Sequence, residues 1–263
     1  MSDTVTPALV SALARLPQIR AVFATGSIAR GEADEYSDVD LLAVADRDDI
    51  GPLAHQLATL HVPGLAPVVL VNTLDLGDTR VLSCVTADWD RYDIALEPVE
   101  MIVTHTRSTA IALFDPDGLA QQLTAPRPPR PVDPAAVERL TSEFLRVLGL
   151  FAVGHGRRDW VTLASGAMLL RQLTISLFSQ EIAAEDRGGM LHLRRTLDPA
   201  AYQQLAELPA VVADPEACRL AHQRVAEVFL PKARLLSHQV DSPWPSEFEA
   251  AVRRRLAPLG IVV

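Results

Sequence analysis

Six residues near the middle of the chain, Pro126-Arg127-Pro128-Pro129-Arg130-Pro131, restrict its fold more than any other stretch. Proline fixes φ and has no backbone N–H, so a run this dense belongs neither in a helix interior nor in a central strand. It reads as an extended spacer. The 263-residue chain is thereby expected to divide into a domain over residues 1–125 and a second over residues 126–263, each of ordinary domain size.

The texture differs on the two sides. Before the prolines, short apolar runs at residues 20–24, 40–45, 67–71, 93–96 and 109–113 read as strands, and Leu53, Leu57 and Leu60 mark a helix over residues 49–60. The turn Asp115-Pro116-Asp117-Gly118 closes the last strand. After the prolines the pattern is helical. Asp133-Pro134, Asp198-Pro199 and Asp214-Pro215 each place an N-cap acid before a proline at the first helical position. Leu140, Phe144, Leu148 and Phe151, then Trp160, Leu163, Ala167, Leu170 and Leu177, recur at helical spacing. Ser246-Glu247-Phe248-Glu249 has capping-box spacing and predicts a last helix through Leu256. The fold class expected is α+β: a small mixed sheet with flanking helices, followed by an α-helical domain.

Composition narrows the function. Met1-Ser2-Asp3-Thr4 lacks the basic start of a secretory signal, and the most apolar stretch, residues 161–178, is interrupted by Ser165, Arg171 and Gln172. A cytoplasmic protein without a membrane span is expected. Cys84 and Cys218 stand far apart with no Cys or His at metal spacing, which suggests neither a disulfide framework nor a zinc site. A net charge of −9 argues against gripping nucleic acid through its phosphates and favours a cationic acceptor.

The chemistry concentrates at residues 25–40. Asp38 and Asp40 lie two apart on a strand, so both carboxylates leave from one face. Hard divalent cations take carboxylate oxygens of this kind. Gly26-Ser27 ends one strand and opens what reads as a helix at Ile28 to Gly31, offering backbone N–H groups and a hydroxyl where a triphosphate could settle. Gly-Ser, ten intervening residues and then Asp38-Val39-Asp40-Leu41 resembles the signature of the nucleotidyltransferases of the DNA polymerase β superfamily. Gly26-Ser27-Ile28-Ala29-Arg30-Gly31, with Ser37 before Asp38, is similar to its small-acceptor branch, and the length with a helical second domain resembles the aminoglycoside and lincosamide nucleotidyltransferases.

That resemblance implies two Mg²⁺ ions held by Asp38, Asp40 and a third carboxylate on a later strand. Asp93 is the candidate, and Glu97, on the same strand face, competes with it. It also implies an NTP, ATP first, bound by Gly26, Ser27, Arg30 and Ser37, and a nucleoside monophosphate passed to a hydroxyl of a small acceptor, an aminoglycoside-like antibiotic among the candidates. Glu143 on the first helix of the second domain is the residue named as general base, by residue type. The partners expected are the nucleotide and the acceptor, with no nucleic acid and no membrane, and a homodimer is compatible with the chain. Two other readings compete: a toxin-neutralising or regulatory protein built on the same fold, and a protein-modifying nucleotidyltransferase. Such toxin-pairing proteins usually stop near the proline spacer, so the first leaves about half of this chain unexplained.

Overall fold

The computed structural model describes residues 2–262, with side chains described from Val5 onward. Two compact units follow one another along the chain, one ending at Pro128 and the other beginning at Pro129.

The first unit contains α1 (Ser2–Leu13), β1 (Ile19–Ala24), α2 (Gly26–Ala29), β2 (Val39–Ala45), α3 (Ile50–Leu57), β3 (Val68–Leu76), β4 (Thr79–Thr86), β5 (Arg91–Pro98) and β6 (Ile111–Phe114). The six strands form one sheet in the order β3-β4-β5-β2-β1-β6. Among the named strands β2 with β5 is the one parallel pairing, so the sheet is mixed and mostly antiparallel, and an isolated parallel bridge outside it joins Thr106 to Thr124. β1 and β2 are apolar at nearly every position because both of their faces are covered. Val22, Leu41 and Ala43 pack with Leu9 and Leu13 of α1 and Leu53 of α3. Phe23, Leu42 and Val44 face the other way, against Ile102, Leu119 and Leu123.

The expected strands are present, but β3 runs on to Leu76 and β4 is an additional strand. β4 is half-buried: Leu82, Cys84 and Thr86 alternate with residues open to solvent, the period-2 pattern of a strand covered on one face. The turn after β6 forms as its sequence requires. Asp115 accepts from the backbone N–H groups of Leu119 (2.8 Å) and Ala120 (2.8 Å), and Gly118 takes a left-handed φ of 71°.

The second unit is helical: α4 (Pro134–Gly149), α5 (Phe151–Arg157), α6 (Trp160–Phe178), α7 (Leu193–Thr196), α8 (Pro199–Ala206), α9 (Pro215–Gln239) and α10 (Ser246–Leu256). Asp133, Asp198 and Asp214 cap α4, α8 and α9 through their side chains, each with proline in the first turn. α4, α6 and α9 pack on one another, and the rings of Phe144 and Phe229 stack with centroids 3.7 Å apart. By length and composition, Trp160–Glu181 is the one helix among the described residues that could cross a bilayer. In this fold it buries Leu163, Ala167, Leu170, Leu177 and Phe178 in the core.

The capping box expected at Ser246 does not form. Ser246 is already inside α10, and Glu249 turns inward, 4% exposed, to accept from Trp244 Nε1 (2.7 Å), Arg253 (2.7 and 3.0 Å) and Arg234. Burial alone would raise the Glu249 pKa, but these donors together outweigh it and hold the carboxyl below its ordinary value. A buried acid surrounded by donors on three sides is a better acceptor for them than for its own helix N-terminus.

His222 gives this unit a pH dependence. It is 1% exposed, and Nδ1 lies 2.7 Å from the Cys218 carbonyl oxygen. Burial lowers its pKa, and the hydrogen bond to Cys218 only partly offsets this. The unfolded chain therefore takes up a proton that the folded chain refuses. The stabilisation is present above the ordinary imidazole pKa of about 6.5 and is lost as pH falls from there through the lower folded-state pKa. Urea midpoints measured at pH 7.5 and 5 should drop for the parent, with a limiting slope of about 1.4 kcal/mol per pH unit. His222→Gln should flatten this drop, and an equal drop in both proteins would remove His222 as its source.

Candidate active site

Three strand ends and one tight turn build the site. β1 ends at Ala24, and Thr25 N–H donates to the Asp40 carbonyl oxygen (2.9 Å), which fixes the turn against the start of β2. Gly26 then takes φ +55° and opens α2. A Cβ at Gly26 would lie 1.9 Å from Asp40 Oδ2 and 2.7 Å from its Cγ. Only glycine lets the turn backbone lie this close to the carboxylate. The next side chain, Ser27, is 2% exposed, and its Oγ is buried without a hydrogen-bond partner among the described residues. An orphaned buried hydroxyl costs about 1–3 kcal/mol unless a ligand satisfies it.

Pairing across the sheet supplies the acids. Asp40 is the parallel partner of Asp93, and Asp93 is the antiparallel partner of Ser83, so one transverse row carries Ser83, Asp93 and Asp40 on one face. Asp38, two residues before Asp40, is close enough to act on Asp93. The Asp93 pKa is raised, chiefly by burial and further by the Asp38 charge, while a hydrogen bond from Ser83 and the charge of Arg91 pull the other way. Arg91 lies 3.9 Å from Asp38 Oδ2 and donates to the Tyr36 carbonyl oxygen (2.8 Å), tying the loop before β2 to β5.

The other expected residues are placed differently. The Ser37 hydroxyl is taken up in a local turn, donating to Asp34 Oδ1 (3.0 Å) and accepting from Asp34 N–H (2.9 Å). Arg30 Nε donates to Glu32 (2.8 Å). Glu97 is 8% exposed and bound at both oxygens, by Thr79 Oγ1 (3.0 Å) and His105 Nε2 (2.7 Å), two positions further along the same strand face than Asp93. Glu143 lies in the helical unit on α4, gripped by Arg146 Nε (2.7 Å) and a terminal nitrogen (2.6 Å). The hydrogen bond from Arg146 holds its carboxyl below the ordinary range, which makes it a weak proton acceptor.

Ser83 and Arg91 are site residues that the sequence reading did not pick out. Ser83 sits in β4, where the buried alternation Leu82, Cys84, Thr86 was a legible signal. Arg91 has no signature beyond its position two residues before Asp93.

A divalent cation fits the donor chemistry of this face. Asp38, Asp40 and Asp93 offer hard carboxylate oxygens, and the Gly26 turn brings its backbone directly against the Asp40 carboxylate. Among the described residues, however, no three His, Cys, Asp or Glu side chains are gathered into a group that could hold a metal. The structure thus sets Asp40 and Asp93 side by side in one row, with Asp38 two residues before Asp40, and gathers no three-carboxylate cage among the described residues.

The nucleotidyltransferase domain family matches residues 8–69. That span holds the Gly26-Ser27 turn, Asp38 and Asp40, and stops before Asp93. No curated protein matches the chain significantly. Among solved structures, an aminoglycoside 6-adenyltransferase from Bacillus subtilis is 11% identical with a TM-score of 0.41, the overlap covering 96% of each chain. A nucleotidyltransferase-like protein from Exiguobacterium sibiricum is 14% identical with a TM-score of 0.30, over 98% of this chain and 85% of that one. The apo form of a CCA-adding enzyme is 12% identical with a TM-score of 0.30, over 96% and 56%. The N-terminal unit thus has a nucleotidyltransferase-like fold, with a predominantly α-helical region after it.

Glu97 is separable from the site by experiment. Glu97→Gln should lower stability by about 1–3 kcal/mol, because the buried bonds to Thr79 and His105 are disturbed. Pyrophosphate release should stay within about threefold of the parent, a change of less than about 1 kcal/mol in the barrier. A large fall in kcat at unchanged stability would instead make Glu97 a ligand.

Proposed function

We propose that this protein is a metal-dependent nucleotidyltransferase that passes a nucleoside monophosphate from an NTP, ATP first, to a hydroxyl of a small acceptor. The observation that carries this reading is the Asp40–Asp93 row backed by the Gly26 turn, inside or beside the segment that matches the nucleotidyltransferase domain. In this reading Asp38, Asp40 and Asp93 hold two Mg²⁺, which when bound neutralise the triphosphate and make the acceptor hydroxyl more acidic. Gly26 and the orphaned Ser27 hydroxyl receive phosphate oxygens, and Arg30 borders them. Ser37 acts through Asp34 by holding the loop that delivers Asp38. The hydroxyl proton passes to a carboxylate, and Glu143, held low by its hydrogen bond from Arg146, is poorly suited to that role.

Residues 1–125 are proposed as the catalytic domain and residues 126–263 as the acceptor-binding one, a division supported by the unit boundary in the proline run. The charge of −9 favours a cationic acceptor such as an aminoglycoside. The test has two parts. ATP should bind saturably with Mg²⁺ and weakly in EDTA, and pyrophosphate should be released with members of a panel of aminoglycosides, lincosamides and hydroxylated metabolites. Equal ATP affinity with and without metal would overturn the metal-dependent reading, and release with uncharged acceptors alone would overturn the cationic one.

A further inference from the structure

The β3 edge of the sheet is built unlike a protected edge. β3 spans Val68–Leu76 and among the described residues pairs only with β4, at the end of the strand order. Its outer side offers unpaired backbone groups along a strand longer than most. Proteins usually blunt such an edge with lysine, proline or a short strand. Here Val69, Leu70, Leu74 and Leu76 are 65%, 48%, 56% and 59% exposed. The one charge on the strand, Asp75, is paired with Arg80 of its own hairpin (2.8 Å). Scattered exposed leucines need no explanation, but four large apolar residues along one open edge mark an interaction surface.

The order of these residues names the occupant. Past the irregularity between Val68 and Leu70, Leu70, Asn72, Leu74 and Leu76 share one sheet face, opposite Val85, Ser83, Val81 and Thr79. One apolar pair is symmetric about Asn72: Leu70 and Leu74 flank it at equal distance, while the mate of Leu76 is Val68 and that of Val69 is Asp75. An identical strand laid antiparallel about Asn72 sets Leu70 against the partner's Leu74, Leu74 against the partner's Leu70, and Leu76 against the irregularity where Val69 is exposed. Asp75 then faces the partner's Val69, and no like charges meet. A two-fold contact must be self-complementary, and the two Leu70–Leu74 pairs meet that condition at the centre of the strand.

We propose that two copies of this chain pair through β3, antiparallel about Asn72, to form one continuous twelve-stranded sheet. The dyad falls on the row that carries the site: Asn72 is the partner of Ser83, Ser83 of Asp93, and Asp93 of Asp40. At about 4.8 Å per strand, Asp93 stands about 10 Å from Asn72, and the partner's β3 lies about 14 Å from Asp93. A dyad perpendicular to the sheet leaves both Asp40–Asp93 rows on the same face.

Light scattering and sedimentation of the full chain test this pairing. The parent should be a dimer at micromolar concentration. Leu70→Lys or Leu74→Glu alone should weaken association by about 100-fold or more, since each sets an uncompensated charge against a buried leucine. The double variant Leu70→Lys/Leu74→Glu should regain the dimer, now weakened by salt, because the register sets each introduced ammonium opposite the partner's introduced carboxylate. Asn72→Cys should form a symmetric disulfide under mild oxidation, as facing residues in an antiparallel pair lie within bridging distance; the native Cys84 and Cys218 are buried. A monomeric parent, a dimer indifferent to the single changes, or failure of both the double variant and the Asn72→Cys cross-link would each overturn the proposal. Pyrophosphate release by the monomeric single variants tells failure of the pairing apart from failure of the enzymatic reading.

Discussion

Asp40→Asn is expected to lower pyrophosphate release by about 10³-fold or more while leaving the protein folded. A carboxylate that helps hold a catalytic cation supports several kcal/mol of charge stabilisation in the transition state, and each 1.36 kcal/mol is about tenfold in rate. Asparagine is nearly isosteric, so the backbone bond from Thr25 to the residue 40 carbonyl survives. Asp93→Asn should behave alike in rate and differ in stability. Asp93 is a half-buried acid raised by desolvation and by Asp38, and a neutral amide removes both penalties, so its melting temperature should hold or rise. More than a few per cent of parental turnover in either variant, under saturating Mg²⁺ and ATP, would remove that residue from the metal site.

Gly26→Ala should damage both rate and stability. The added methyl would sit 1.9 Å from Asp40 Oδ2, at a φ of +55° that alanine resists. A left-handed non-glycine residue costs about 1–2 kcal/mol. Relieving an overpacked contact costs about 1–3 kcal/mol more. The relief available is rotation of the Asp40 side chain, and displacement of a catalytic group by about 1 Å costs roughly 10²-fold in rate. Gly31→Ala is the matched control: φ is +69°, but no atom lies within 4 Å of the new methyl. It should show the backbone cost alone, a loss of about 1–2 kcal/mol with turnover retained. Equal rates for the two variants would mean that the Gly26 turn does not position Asp40.

Much of the site was legible before any fold was known. Acid-Val-acid entering a strand, with Asp38 just before β2 and Asp40 within it, a Gly-Ser turn ten residues earlier and Asp93 on a later strand are local patterns, because strand periodicity sets which side chains share a face. The helix caps at Asp133, Asp198 and Asp214 were readable for the same reason: an acid and the backbone N–H groups it serves lie within three residues of each other. α1 was harder to see, because Pro7 sits inside it and argues locally against a helix that burial of Leu9 and Leu13 sustains.

Contacts between residues distant in sequence were settled by the fold alone. That Asp93 rather than Glu97 faces Asp40 depends on the register of β2 with β5; shifting that parallel pairing along the strands would present Glu97 instead with no change in composition. Both Glu97 oxygens are bound by Thr79 and His105, which reach it from another strand and from the segment after β5. Glu249 left its capping position for the same kind of reason, since Arg234 and Trp244 converge on it only once α9 and α10 have packed. Spacing along the chain therefore determined which residues could do chemistry here, and strand register with helix packing decided which of them meet, because a pairing energy exists only between groups that the whole fold brings within reach.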